Sequence, residues 1–220
     1  MIRFRHNWTS KLAANWNEFC APLFPDFPER RPINWLEIGV FEGRTAQWVL
    51  DNVLTTPGDS YRGIDPWELQ AMDPIKWPRD GRGQEQISAV EATARSLLEP
   101  YNKDARPGVP FRVRLIKGRS ADVLRSDPDY WVDGEWDVVY IDGLHTPLGI
   151  MSDAVLTWPL LKIGGIMIFD DYVVRRRFVR RQIQRTVGDF LAAVAGAHRV
   201  LFVNSQVGVQ KLAEGYQVAW

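Results

Sequence analysis

The chain has 220 residues and balances 27 Lys+Arg against 27 Asp+Glu, which suits one α/β domain with a full core and advertises neither nucleic acid nor membrane as partner. Its single cysteine, Cys20, excludes an internal disulfide framework and a cysteine-based zinc site. No apolar stretch is long enough to span a bilayer, and Met1-Ile-Arg-Phe-Arg-His-Asn-Trp8 lacks the apolar core of a signal peptide, so a cytoplasmic protein is expected.

In chain order, residues 1–32 carry an amphipathic stretch over 10–19 and a turn-rich run from Pro22 to Pro32, read as a helix and connector leaning on the main domain. Residues 33–38 predict the first strand. Residues 43–53 predict a helix, with Ala46, Val49, Leu50 and Val53 at helical spacing. A second strand over 60–64 ends at Asp65. Residues 66–86 then read as a long loop, a candidate lid over the acceptor, and such loops are usually functional or disordered. Most of the ten tryptophans should fill volume, but Trp67 and Trp77 fall in this loop, as either a ligand wall or a loop anchor. A helix over 84–98, a third strand over 111–116 and a short helix from Ser120 follow. The fourth strand covers 137–141. A helix over 148–161 is read as stopped by the glycines of Lys162-Ile-Gly-Gly165. A fifth strand over 166–169, a helix over 178–195 and a hairpin of 199–204 with 207–212 close the chain. Strands alternating with helices predict a doubly wound α/β fold with helices on both faces of the sheet.

Two acidic clusters end apolar, β-branched runs: Tyr140-Ile-Asp-Gly-Leu-His145 after the fourth strand and Phe169-Asp-Asp-Tyr172 after the fifth. Short apolar runs read as buried parallel strands, whose carboxyl edge is where open α/β sheets bind ligands. If the two strands are neighbours, about 5 Å apart, Asp142, Asp170 and Asp171 converge with His145 beside them. Three carboxylates in one pocket repel unless a cation holds them, and hard oxygen ligands suit Mg²⁺. The run Arg175-Arg-Arg177, Arg180, Arg181 and Arg185 has Phe178, Ile183, Val187, Phe190 and Leu191 at helical spacing, so the arginines read as a solvated face. A polyanion partner is disfavoured. Arg175 or Arg176 reaching an acidic acceptor stays open.

The first turn, Leu36-Glu-Ile-Gly-Val-Phe-Glu-Gly-Arg-Thr45, has Gly39 for a tight turn and Gly43 for close approach at the helix start. Its Gly-x-x-x-Gly spacing is not the dinucleotide fingerprint, and Glu37 and Glu42 suit a cationic ligand better than a pyrophosphate. Asp65 supplies the acid expected to hold ribose hydroxyls. Lys117-Gly-Arg-Ser-Ala-Asp122 offers small and polar atoms where an adenine can lie.

Together with Gly63-Ile-Asp-Pro-Trp67, these four stations resemble a class I S-adenosylmethionine-dependent methyltransferase. More narrowly they are similar to a bacterial group related to macrocin-type macrolide-sugar O-methyltransferases and, more distantly, to catechol O-methyltransferase. The likeness covers roughly residues 33–212. It implies a Rossmann-like seven-stranded sheet ordered 3-2-1-4-5-7-6 with an antiparallel last hairpin strand, within a domain of residues 33–220. It implies S-adenosylmethionine as cofactor, held by Glu37, Gly39, Gly43, Thr45, Asp65, Ser120 and Asp142. It also implies Mg²⁺ on Asp142, Asp170 and Asp171, and His145 as the base acting with Asp142.

The expected function is O-methyl transfer to a hydroxyl of a small sugar-like or polyketide-like metabolite, such as a vicinal diol. Other roles stay open from sequence. Asp142 can serve only the cofactor, Asp170 or Asp171 can cap a turn, and His145 can cap a helix. A metal-independent N- or C-methyltransferase and an inactive cofactor-binding module are the rival functions. A homo-oligomer is an open possibility through the amino-terminal helix.

Overall fold

In a computed structural model of the chain, residues 9–24, 31–69, 81–102, 112–126, 131–174 and 176–215 are described. Five apolar runs form the parallel strands β1 (Asn34–Ile38), β2 (Ser60–Asp65), β3 (Val113–Lys117), β4 (Trp136–Ile141) and β5 (Leu161–Phe169). The hairpin β6 (His198–Val203) and β7 (Val207–Lys211) completes a seven-stranded sheet in the order 3-2-1-4-5-7-6. Strand β7 is antiparallel to both β5 and β6, as expected. Every residue of β4 is buried, because helices cover both faces of this central strand.

One face packs against α4 (Ser120–Ser126), α5 (Pro147–Thr157) and α6 (Arg177–Ala193), through Leu124, Ile150, Trp158, Ile183 and Phe190. The other packs against α1 (Thr9–Asn15), α2 (Arg44–Asn52) and the end of α3 (Gly81–Leu98). The amino-terminal segment is part of this core. Trp16 lies 5.5 Å from Trp35 and stacks at 5.6 Å on Phe24. Residues Trp16–Cys20 form a π turn directly after α1, which resets the helix so that both Asn15 and Trp16 point inward.

Three expectations need correction. Helix α3 begins at Gly81, so residues 81–86 are helical and the loop is shorter than read; residues 70–80, with Trp77, lie outside the described set. Helix α5 ends at Thr157 rather than at the glycines, because Pro159 cannot donate to a continuing ladder. Gly164 and Gly165 instead lie inside β5, where the register against β4 shifts and Gly164 takes a φ of +88°. Phe178 is 72% exposed, since the first turn of α6 precedes its packed stretch; Ile183, Val187 and Phe190 are buried as expected.

Candidate active site

Glycine at position 39 is a steric requirement. A Cβ there would sit 2.1 Å from the Asp142 carbonyl oxygen, and φ is +91°. The ends of β1 and β4 are thereby pressed together. Among the described residues the non-glycine positive-φ positions are Phe41, Trp67 and Asp171, which follow β1, β2 and β5 at the same sheet edge. Strained backbone of this kind gathers where a site over-determines its loops. Asp65 fixes two of these loops: one oxygen accepts from the Val40 and Phe41 amides at 2.9 Å, the other from the Trp67 amide at 2.7 Å. Burial raises its carboxyl above the usual range. The Trp67 indole donates to the Phe41 carbonyl at 3.0 Å and is 2% exposed, so it anchors the loop rather than walling a ligand.

A cleft of about 390 Å³ opens over this turn, lined by Glu37, Gly39, Glu42, Arg44, Thr45 and Asp142 among others. Glu37 is buried and accepts from the Tyr61 hydroxyl at 2.8 Å. Burial, then the nearby Asp142, Asp65 and Asp170 carboxylates, push it well above the ordinary range. Of the expected cofactor residues, Glu37, Gly39, Thr45 and Asp142 meet in the cleft. Gly43 instead precedes α2 with a φ of +80°, a left-handed conformation that glycine adopts freely. The Ser120 hydroxyl donates to Asp153.

At the ends of β4 and β5 the ligand atoms of Asp142, His145 and Asp171 lie within 4.8 Å of one another. The His145 Nε2 is 3.3 Å from Asp142 Oδ1 and 3.6 Å from Asp171 Oδ2, and no hydrogen bond of sound geometry satisfies this buried atom among the described residues. Burial and the Asp170 carboxylate push Asp142 up to about 7. Burial depresses His145, yet the Asp142, Asp171 and Asp170 carboxylates outweigh it and carry the imidazole up to about 9. A cation seated among the carboxylates would weaken that field. His145 is not the helix cap: Thr146 caps α5, accepting from the Gly149 amide at 3.2 Å, with Pro147 in the first helical turn. Asp170 stands apart from the trio. Its Oδ1 accepts from the Asp171 amide at 2.7 Å and its Oδ2 from the Tyr140 hydroxyl. Beside His145 and Asp170 lies a small pocket with Ile150, Phe169, Ile183 and Val187 in its wall. Asp142 thus lines the cofactor cleft, while His145 and Asp170 line the apolar pocket.

A model of the methyltransferase domain family matches residues 36–172. The chain belongs to this methyltransferase family. The resemblance read from its motifs is borne out at that level, and the protein is an S-adenosylmethionine-dependent methyltransferase. No curated protein matches the chain. Among solved structures, the SAH-bound methyltransferase PaMTH1 of Podospora anserina is 15% identical, with 96% of this chain and 98% of that one covered at a TM-score of 0.53. CalS11, a TDP-rhamnose 3'-O-methyltransferase of calicheamicin biosynthesis, is 18% identical, with 94% and 80% covered at a TM-score of 0.54. At these identities the likeness shows the fold.

Both implied ligands fit the methyltransferase. The cleft presents Glu37, Glu42 and Asp142, which complement a cationic sulfonium and ammonium, while Arg44 and Thr45 offer donors to a carboxylate. Asp142 and Asp171 form an oxygen donor set for a hard divalent cation such as Mg²⁺ or Mn²⁺, and the unsatisfied imidazole nitrogen of His145 lies beside it. Sequence reasoning missed Asp153, which is buried in α5 with its Oδ2 3.0 Å from where a Gly143 Cβ would be. It also missed Tyr140, Gln206 and Asn15. The available signal was an acid on the apolar stripe of α5 and polar groups in stretches otherwise built for burial.

Proposed function

We propose that this methyltransferase transfers a methyl group to a hydroxyl of a small acceptor with the aid of a divalent cation, Mg²⁺ or Mn²⁺. The observation that carries the reading is the convergence of Asp142, His145 and Asp171 within 4.8 Å, with Asp142 lining the cofactor cleft. S-adenosylmethionine supplies an already activated methyl, so the protein's main task is alignment and exclusion of water. Glu37, Gly39, Thr45 and Asp142 line the cleft and are the residues assigned to hold it, while Asp65 acts from behind by fixing the loops at Val40, Phe41 and Trp67. Asp142 and Asp171, backed by Asp170, would hold the cation, which supplies positive charge to fix and acidify an acceptor oxygen. His145 would stand beside that point rather than on the cation, and with the cation offsetting the carboxylate field its imidazole would take the hydroxyl proton. A sugar-like or polyketide-like acceptor is the expected class, and the likeness to a sugar O-methyltransferase supports the former. Among the described residues no helix is long and apolar enough to cross a membrane.

A second reading takes the 3.3 Å Asp142–His145 contact as a metal-free pair in which the imidazole, carried up to about 9 by the carboxylates, serves as base only at alkaline pH. Calorimetry separates the two. S-adenosylhomocysteine should bind the protein, and Mg²⁺ or Mn²⁺ titrated into that complex should give a saturable signal lost in Asp171→Asn. Cofactor binding with no metal signal under any condition would favour the metal-free base.

A further inference from the structure

A chain of buried hydrogen bonds runs from the amino-terminal helix to the acidic edge. The Asn15 side-chain amide donates to Gln206 Oε1 at 2.8 Å, the Gln206 amide donates to the Tyr140 hydroxyl at 3.0 Å, and that hydroxyl donates to Asp170. Asp170 passes the constraint on by accepting the Asp171 amide at 2.7 Å. Three of the side chains are almost wholly removed from water: Asn15 is 4% exposed, Gln206 1% and Tyr140 1%. Buried amides and phenols are costly unless fully bonded, and here Asn15, Gln206 and Tyr140 each donate and accept. Gln206 spends its donor on Tyr140, so the Tyr140 proton has Asp170 as its acceptor. The opposite orientation of the Gln206 amide would set its NH₂ against the Asn15 NH₂.

The sheet explains why these residues meet. Phe169 pairs with Val207, which places Gln206, the residue before β7, beside Asp170, the residue after β5. Tyr140 pairs with Ile168, two positions before Asp170, so alternation sets its ring on the face where the Asp170 side chain stands. The hairpin turn is held from outside by α1: the Asn204 amide donates to Asn15 Oδ1 at 2.7 Å, and the Gln206 backbone amide donates to Asn204 Oδ1 at 3.0 Å. The π turn that begins at Trp16 fixes the orientation of the helix end carrying Asn15.

We infer that Asn15, Gln206 and Tyr140 are positioning residues for the acidic pair Asp170–Asp171. They fix Asp170 from behind and, through its bond to the Asp171 amide, the left-handed loop residue whose carboxylate faces His145. The inference rests on the reading that this edge holds a divalent cation. Groups behind a metal ligand set its orientation, and their loss typically weakens metal binding about 10- to 100-fold.

The test uses Mn²⁺ as probe on the S-adenosylhomocysteine complex, with Tyr140→Phe, Gln206→Met and Asn15→Leu compared with wild type. Tyr140→Phe keeps the ring and removes only the hydroxyl. Affinity for Mn²⁺ should fall roughly 10- to 100-fold in Tyr140→Phe and Gln206→Met and less in Asn15→Leu. The electron paramagnetic resonance line shape of bound Mn²⁺ should change, while S-adenosylhomocysteine affinity stays within about twofold of wild type. Wild-type Mn²⁺ affinity and line shape in all three variants would overturn the inference and leave the metal reading standing. Parallel loss of cofactor and metal binding would overturn it as well, marking general destabilisation. A wild-type protein that binds cofactor but no Mn²⁺ would remove both the metal reading and the inference built on it.

Discussion

Asp153 shows how much one buried carboxylate can matter. It is 2% exposed, has the Ser120 hydroxyl as hydrogen-bond donor, and packs under Gly143 in the loop between Asp142 and His145. Burial pushes it up to about 6, only partly countered by Ser120. Between pH ~4, the ordinary aspartate value, and pH ~6 the folded chain therefore keeps a proton that the unfolded chain has released. Stability from this group is present below that window and lost as pH rises through it, by up to roughly 3 kcal/mol. Asp153→Asn removes the dependence, so its stability relative to wild type should improve by about 1–3 kcal/mol between pH 4.5 and 7.5 in denaturant unfolding. A difference that does not change with pH contradicts this account. Gly39 was legible in the sequence because a glycine after an apolar strand has few other uses. Asp153 was not, because its meaning depends on Ser120 and Gly143, which reach it only through the fold.

The amino-terminal segment carries more of the architecture than a leaning helix would. Leu12, Trp16, Cys20 and Phe24 join Trp35 and Tyr140 in one buried cluster, and burial pushes the Cys20 thiol up to about 12, away from reactivity. Trp16→Ala should therefore lose about 3–5 kcal/mol, the range for deleting a large core aromatic, in equilibrium denaturation. A loss below about 1 kcal/mol would mean that the segment is peripheral. Helical spacing over residues 10–19 reveals the helix but not its π turn, at whose start Asn15 meets Asn204 and Gln206, partners that only the fold brings near. The end of α5 was misread for a similar reason. Two glycines look like a helix stop, yet Pro159 had already ended the helix and β4 had drawn the glycines into pairing. The arginines Arg176, Arg177, Arg181 and Arg185 of the α6 region stand exposed as the solvated face that spacing suggested, while Arg175 lies outside the described residues.

For the molecule as a whole, the strand order explains both what was legible and what was not. Apolar runs and alternation reveal parallel strands directly, and the carboxyl edge then follows from chain direction. Four strand ends come together because β1 and β4 are central neighbours, with β2 and β5 flanking them. That convergence brings Glu37, Asp142 and Asp171 to one edge from distant positions. Strand order cannot say which way each acid turns: Asp171 faces His145, whereas Asp170 is taken by Tyr140. Hydrogen bonding decided that outcome, from partners up to 191 positions apart along the chain.

The central claim is that Asp142, His145 and Asp171 surround a divalent cation next to the cofactor. Crystals grown with S-adenosylhomocysteine and Mn²⁺, measured on both sides of the manganese absorption edge, test it most directly. The account predicts an anomalous peak within coordination distance of Asp142 and Asp171, beside the His145 imidazole and facing the cofactor's sulfur. Bound cofactor with no anomalous peak at that edge, or with manganese only elsewhere on the protein, would contradict it.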